Sequence, residues 1–162
     1  MKDKKLAWCR KQKHGIELIE PNENVSSAYL KKAHTSLRSM DINYKESILD
    51  WTVDAAYYAR YQAVYALMQR IGVKCEIHDC TIELFRFLFN DSFDEKLFLE
   101  LESAKEQRIN LTYYTDRLVS VEDIKKNVYS ASNFVLKVEE FLSVLTPSKI
   151  KLIKEKLVLI FE

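Results

Sequence analysis

The stretch "TVDAAYYARYQAVYALMQRIG", residues 52–72, decides the fold. Alanines and tyrosines recur in it every three or four positions, as two stripes formed by Ala55, Ala59, Ala63 and Ala66 and by Tyr57, Tyr61 and Tyr65. Such stripes are typical of a helix that packs closely against its neighbours. Gly72 stands where helices often end in a left-handed residue. We therefore predict one long helix over about residues 44–71, with some tyrosine hydroxyls reaching a groove.

The composition favours long helices over a sheet. The chain has 162 residues but only 2 Gly and 2 Pro, whereas β-sandwiches and barrels need many tight turns that use these residues. Hydrophobic residues make up 48% and charged residues 30%, as in a folded globular protein. The net charge of +1 provides no overall basic field for nucleic acid, so only a local basic patch could attract it.

The rest of the chain has the pattern of helices joined by short loops. The predicted elements are a helix over 2–13, an extended link or single strand over 15–21, a helix from an Asn22 or Asn24 cap to about Asp41, and helices starting near Asp79, Asp94, Ser120 and Pro147. We predict an all-α, antiparallel up-and-down bundle with short extra helices at the termini. A single domain is expected over 1–162, with its core at about 22–145 and an appended helix at 147–162.

The segment "GVKCEIHDC", residues 72–80, concentrates side chains that could bind a metal. Cys75, His78 and Cys80 supply three ligands where a structural zinc site needs four, and Cys9 or His14 could complete the set only through the tertiary fold. A Cys–His nucleophile pair would need its two side chains in contact. The third interpretation is a helix junction, in which His78 or the following aspartate caps the next helix and the cysteines pack as small apolar residues. We predict no metal site and no cofactor.

The sequence carries no targeting signal that we recognise. No stretch approaches the ~18 uncharged apolar residues of a membrane span. The start, "MKDKKLAWCRK", has neither the apolar region nor the cleavage site of a secretory signal. Three cysteines without a framework spacing fit free thiols in a reducing compartment. We expect a cytoplasmic protein that does not bind membranes.

A second candidate site is "EQRINLTYYTDR", residues 106–117, which places polar groups in a hydrophobic helical pattern. Arg108 and Thr112 are four apart and share a helical face, and Tyr113 follows directly. The planar fork of arginine matches two phosphate oxygens. The alternative is a capping and salt-bridge cluster at a helix end. A glycine-rich phosphate loop is excluded because the two glycines of the chain are isolated.

Residues 50–85, "DWTVDAAYYARYQAVYALMQRIGVKCEIHDCTIELF", resemble the HEPN superfamily, specifically its small single-domain archaeal and bacterial branch. The marks are the "YYARY-x3-YALM" helix, the glycine stop and a histidine at the start of the next helix. Residues 8–33 and 104–135 resemble the flanks of that branch, so the resemblance covers about 6–145. It implies a bundle of four or five main helices, usually homodimeric. Many members are metal-independent endoribonucleases, acting as toxins beside a minimal nucleotidyltransferase antitoxin or within other defence systems.

The resemblance also implies a motif of Arg, four to six residues, then His, with two copies meeting across the dimer in one cleft. The histidine can deprotonate a ribose 2′-hydroxyl, and the arginine can stabilise charge on the phosphate. Arg108 matches the arginine, but Tyr113, or Tyr114 with a looser gap, takes the place of the histidine. An ordinary tyrosine has a pKa of about 10, so only about one in a thousand is ionised at pH 7. We expect a weakened or inactive nuclease.

Two functions follow from these residues. The first is an endoribonuclease toxin or related RNA-binding protein. Its catalytic residues would be Arg108 and Tyr113, and its binding residues Asn110, Thr112, Tyr114 and, if the fold brings it there, His78. The second is a non-catalytic dimeric module that holds RNA, a nucleotide or a nucleotidyltransferase antitoxin in the same groove. A sealed cleft at Arg108 would instead indicate a plain interaction protein.

Overall fold

The computed structural model describes residues 4–161 and confirms an all-α bundle. These residues form seven helices and one pair of short strands. The helices are α1 Lys4–Lys11, α2 Glu23–Lys45, α3 Leu49–Ile71, α4 His78–Phe89, α5 Glu95–Tyr113, α6 Val121–Ser143 and α7 Pro147–Phe161, and the strands are β1 Glu17–Leu18 and β2 Val73–Lys74. The division into a core at 22–145 and an appended helix stays a prediction.

Helix α3 lies at the centre of the bundle, against α2, α5 and α6. Sixteen of its 23 residues are buried, including the alanine and tyrosine stripes. Ser26 of α2 donates its hydroxyl to the carbonyl oxygen of Ala66 at 2.7 Å, a close approach that two small side chains permit. The stripes therefore do form the packing surface that their spacing predicted.

Two of the predicted caps, those of α2 and α6, are confirmed. Asn22 caps α2 by accepting a hydrogen bond from Val25 N at 2.9 Å, and Ser120 caps α6 by accepting from Asp123 N at 3.1 Å. Gly72 ends α3 in the left-handed region, with φ at 79°. These short-range signals depend only on neighbouring residues, which is why the sequence reveals them.

The predicted boundary between the second and third helices is wrong. Helix α2 runs on to Lys45, past the predicted end near Asp41, and α3 begins only at Leu49. The chain reverses at Ser47, which adopts a positive φ of 59°. The sequence hides this turn because it contains neither glycine nor proline.

The segment before α2 crosses the end of α3. Strand β1 pairs antiparallel with β2, Glu17 opposite Lys74 and Leu18 opposite Val73. A Cβ atom added to Gly72 would lie 2.5 Å from the carbonyl oxygen of Ile19, so only glycine allows this crossing. The pairing folds the N-terminal segment back onto the junction between α3 and α4.

A disulfide joins Cys9 of α1 to Cys80 of α4, with the two Cα atoms 5.7 Å apart. The expectation of free thiols is therefore wrong for these two residues. Among residues 4–161, the free cysteine is Cys75, which is buried. The sequence could not reveal the pair because the two cysteines are 71 positions apart and only the strand pairing brings them together.

Helix α7 packs against α1, α3 and α4. Its buried stripe is Ile150, Ile153, Leu157 and Ile160. Arg10 of α1 donates to the carbonyl oxygens of Ile160 and Phe161 at 3.1 and 2.7 Å. These carbonyls end α7 without intrahelical partners, so the arginine satisfies them. Between Lys4 and Phe161, none of the helices combines the length and apolar character needed to cross a bilayer.

A fully buried arginine links the three central helices. The side chain of Arg60 on α3 is 0% exposed. Its Nε donates to Glu100 of α5 at 2.9 Å, and its Nη2 donates to the Asn127 carbonyl and the Ser130 hydroxyl of α6, both at 2.8 Å. A buried charge is tolerated only when it is paired and hydrogen-bonded in this way.

Reduction of the disulfide should destabilise the protein. Because the cross-link closes a loop of 71 positions, its loss is expected to lower the free energy of unfolding by about 4 kcal/mol. Urea unfolding with and without dithiothreitol measures this difference. The reductant effect should persist in Cys75→Ala and disappear in Cys9→Ser. Three alkylated thiols in the unfolded, unreduced protein would show that the bond is absent.

Replacing Arg60 by methionine should also destabilise the fold. We expect a loss of about 3 kcal/mol, because Glu100 and the polar groups of α6 lose their buried partner. Urea unfolding measures the loss. The matched control is Arg70→Met on the same helix, whose ion pair with Glu23 is long, at 3.9 Å, and exposed. That variant should lose less than about 1 kcal/mol. Equal losses would contradict the structural role of Arg60.

Candidate functional site

Arg108 lies near the end of α5 and faces the first two turns of α3. Its Nε is 3.3 Å from Oδ1 of Asp54, and both side chains are mostly buried, at 16% and 17% exposed. Thr112, one turn further along α5, donates its hydroxyl to the same carboxylate oxygen at 2.9 Å. Asp54 therefore holds the two α5 residues that the sequence placed on one helical face.

Three tyrosines surround the guanidinium of Arg108. The Cζ atom lies 5.4 Å from the ring centre of Tyr57, 5.0 Å from that of Tyr58 and 5.8 Å from that of Tyr113. These distances suit cation–π attraction, which stabilises the charge without using its N–H donors. The hydroxyl of Tyr113 accepts from Nη2, but at a long 3.4 Å. Electrostatic attraction to Asp54 and to the three aromatic rings, more than hydrogen bonding, therefore holds the Arg108 side chain in place.

The hydrogen-bonding capacity of Arg108 is largely unused. Its buried Nε is close enough to Asp54 for an ion pair, yet it is not aligned for a hydrogen bond and has no acceptor within residues 4–161. A guanidinium carries five N–H donors. Within residues 4–161, the one hydrogen bond that these donors form is the long contact with Tyr113. Unused donors on a held arginine are suited to an anion such as phosphate.

His78 joins the same cluster through Tyr57. The hydroxyl of Tyr57 lies 2.8 Å from Nδ1 of His78, and the imidazole stacks on Tyr61 with ring centres 4.2 Å apart. His78 is the first residue of α4, so it does not cap that helix as predicted. The N-cap position belongs to Ile77, which makes no side-chain cap, and the imidazole turns toward the tyrosine stripe of α3 instead.

The environment favours the neutral forms of these groups. Burial lowers the pKa of His78 below its usual range, and the positive charges of Arg108 and Lys105 lower it further. Burial raises the pKa of the Tyr57 phenol far above its usual range. It also raises the pKa of Tyr61 to about 12. At neutral pH the cluster therefore holds a neutral imidazole hydrogen-bonded to a neutral phenol, beside a cationic arginine.

Two of the predicted binding residues, Asn110 and Tyr114, contact Arg117. Asn110 accepts a hydrogen bond from Nη1 of Arg117 at 2.8 Å, and the Arg117 guanidinium lies 3.6 Å from the ring centre of Tyr114. No contact within residues 4–161 joins Asn110 or Tyr114 to Arg108. They form a neighbouring exposed cluster at the end of α5, which matches the predicted alternative of a helix-end cluster.

The cysteines do not build a metal or nucleophile site. Cys9 and Cys80 are joined to each other. Cys75 is buried, its thiol donates to the Ile77 carbonyl at 3.7 Å, and burial raises its pKa. A buried thiol with a raised pKa is inert. Among residues 4–161, no group of three or more His, Cys, Asp or Glu side chains is arranged to hold a metal ion.

Sequence reasoning missed Asp54, Tyr57 and Tyr58 as members of the site. The sequence places Tyr57 in the packing stripe and predicts that some tyrosine hydroxyls reach a groove; its ring is 0% exposed, and its hydroxyl contacts His78. Asp54 gave a weak signal, as an acidic residue inside an otherwise apolar helical stripe. Its partner Thr112 is 58 positions away, so no local pattern could pair them.

Comparison with known proteins supports the resemblance found in the sequence. The family model of the HEPN domain matches residues 26–141, from the first turn of α2 to the end of α6. No curated protein matches the chain. The match includes the whole of α3, α4 and α5, which carry the arginine, tyrosine and histidine cluster. Because it covers well over half of the chain, the protein belongs to the HEPN domain family.

Proposed function

We propose that the protein binds RNA at the Arg108 cluster and cleaves it as a metal-independent endoribonuclease of a toxin–antitoxin or defence system. The observation that carries this proposal is the arrangement of Arg108, Tyr57 and His78. Tyr57 contacts the arginine with its ring and the histidine with its hydroxyl. Arg108, which can bind an anion, and His78, a neutral base, therefore both contact the side chain of Tyr57.

His78 supplies the base that Tyr113 cannot. In the proposed tautomer, Nδ1 carries the hydrogen and donates it to the Tyr57 oxygen, so the lone pair lies on Nε2. No residue between 4 and 161 hydrogen-bonds that Nε2 atom. It can therefore accept a proton from a ribose 2′-hydroxyl, which is the usual task of a histidine base. The lowered pKa of His78 keeps this lone pair available below pH 7.

The proposed reaction is an internal transfer of the phosphoryl group. The 2′-oxygen attacks phosphorus as its proton moves to Nε2 of His78. The bond from phosphorus to the 5′-oxygen breaks, and that oxygen takes a proton from a water molecule. The hydroxide left behind takes the proton from Nε2 of His78, which restores the neutral imidazole. The products are a 2′,3′-cyclic phosphate and a free 5′-hydroxyl. Arg108 stabilises the negative charge that develops on the phosphate oxygens, an electrostatic role that requires prepositioned donors.

A non-catalytic module is the second candidate function. It is favoured by Tyr113, which takes the motif position of histidine and is 64% exposed. Here a homodimer would hold RNA or a nucleotide, or would bind a nucleotidyltransferase antitoxin, through the same arginine. The two functions differ in one observable. Both require Arg108 for binding, but only the nuclease requires His78 for product formation. A cytoplasmic location is part of either proposal, although the Cys9–Cys80 disulfide removes the free-thiol argument for it.

The first test is RNA cleavage by the Arg108→Ala variant in the presence of EDTA. Loss of the guanidinium should abolish cleavage and weaken RNA binding by at least about tenfold, the value of a charged hydrogen bond. Gel analysis of labelled RNA measures cleavage, and detection of cyclic phosphate ends verifies the reaction.

The matched control is Arg86→Ala. Arg86 is also an ion-paired arginine, joined to Glu95 and Glu102, but it has no contact with the Arg108 cluster. The Arg86→Ala variant should cleave and bind RNA as the wild-type protein does. Binding that survives in Arg108→Ala would contradict the proposal. Binding that depends on Arg108, with no cleavage by wild type, would establish the non-catalytic module.

The second test is the titration of His78. Because burial and two cations lower its pKa, the imidazole should stay neutral as pH falls and protonate with a midpoint below about 6.5. NMR of the imidazole protons measures this midpoint, and the spectrum of His78→Gln identifies the resonance. The cleavage rate should fall only below the same pH. A midpoint at or above 6.5 would contradict the buried environment, and unchanged cleavage by His78→Gln would exclude it as the base.

A further inference from the structure

A groove between α2 and α3 opens directly beside the Arg108 cluster. It is an open groove of about 590 Å³, within the roughly 300–1,000 Å³ of small-molecule sites. Asp54 and Tyr58 line this cavity, and both also contact Arg108. The groove and the arginine therefore share two lining side chains. A ligand whose phosphate lies against Arg108 can extend its remaining part into the groove.

An exposed aromatic side chain lies along the groove. Trp51, at 64% exposed, lines the cavity together with Tyr58 and Gln62, which follow it at helical spacing on α3. The indole is therefore mostly exposed to solvent beside the groove, where a planar partner can reach it. Stacking on such side chains is how proteins bind unpaired bases, and it tolerates every base because each has a π-face.

Two amide side chains that line the groove supply one free hydrogen-bond donor and one free acceptor. Gln62 uses its Oε1 to accept from Ser36 at 2.8 Å, which leaves its Nε2 without a partner in the described chain. Asn43 uses its Nδ2 to donate to the Ser39 carbonyl at 2.8 Å, which leaves its Oδ1 without a partner there. A free amide donor and a free carbonyl acceptor match the mixed edge of a nucleobase.

The charge of the groove argues against a second phosphate. Of the side chains that line the cavity, Asp54 is the charged one, and it is paired with Arg108. The lining holds no lysine or arginine to neutralise an anion. A neutral, planar ligand with a polar edge therefore fits the groove, while the anionic group fits the arginine beside it.

We infer that the α2–α3 groove is a nucleobase subsite, in which Trp51 stacks on an unpaired base of the nucleotide whose phosphate Arg108 holds. The inference rests on the proposed function, because it takes the position of the phosphate from it. The amides of Asn43 and Gln62 then read the edge of the base. The ligand is an unpaired nucleotide, either within single-stranded RNA or as a free mononucleotide.

The test is fluorescence quenching of Trp51 in a Trp8→Phe background, which leaves one tryptophan. Single-stranded RNA should quench this emission, whereas duplex RNA and a single-stranded RNA with abasic positions should not. If a free mononucleotide quenches the emission as strongly as single-stranded RNA does, the groove is assigned to free nucleotides. Equal quenching by the base-containing and abasic strands would overturn the subsite.

Binding measurements with variants complete the test. Trp51→Ala should bind single-stranded RNA at least about fivefold more weakly, as expected for the loss of one base stack, and Trp51→Phe should recover part of that affinity. The control is Trp8→Ala, a tryptophan of similar exposure, 54%, on α1. Unchanged affinity in Trp51→Ala with weakened affinity in Arg108→Ala would reject the subsite and keep the proposed function. Unchanged affinity in both would reject both.

Discussion

The buried guanidinium of Arg60 is the interaction on which the rest of the bundle depends. It lies within α3 and bonds to α5 through Glu100 and to α6 through Asn127 and Ser130. A cation without water must keep such partners, so the three helices have one relative position rather than several. Glu100 lies two turns before Arg108 on α5. The register that Arg60 imposes therefore also sets where Arg108 meets Asp54 and the tyrosines of α3.

The tyrosine stripe of α3 serves packing and the site at once. The rings of Tyr57 and Tyr61 fill the core, and their hydroxyls turn to polar groups at its edge, His78 and Thr81. The ring of Tyr61 stacks on that of Tyr57, with 5.8 Å between the ring centres, and also on the imidazole of His78. A rigid aromatic column thus positions a titratable group. A stripe typical of core packing therefore also contributes side chains to the candidate site.

Local rules predicted most of the fold and only part of the site. The α3 stripe, the Asn22 and Ser120 caps and the stop at Gly72 depend on neighbours within one or two turns, so the sequence displays them. The site is made by contacts between distant segments. Arg108 stands out because it shares a helical face with Thr112 and because it matches the arginine of the family motif, but Asp54 has no such signal. His78 was considered only as an outside candidate, because no spacing rule connects the start of α4 to the end of α5. The Cys9–Cys80 bond was missed for the same reason.

The contact between α1 and α7 has a consequence for the path of the chain. Arg10 near one end of the described residues bonds to Ile160 and Phe161 at the other, and its guanidinium also lies 5.0 Å from the Phe161 ring centre. The helices that lie outside the family match thus bring the two ends together, as in many compact domains. A polypeptide fused after α7 would therefore leave the surface beside Arg10, at the end of α1.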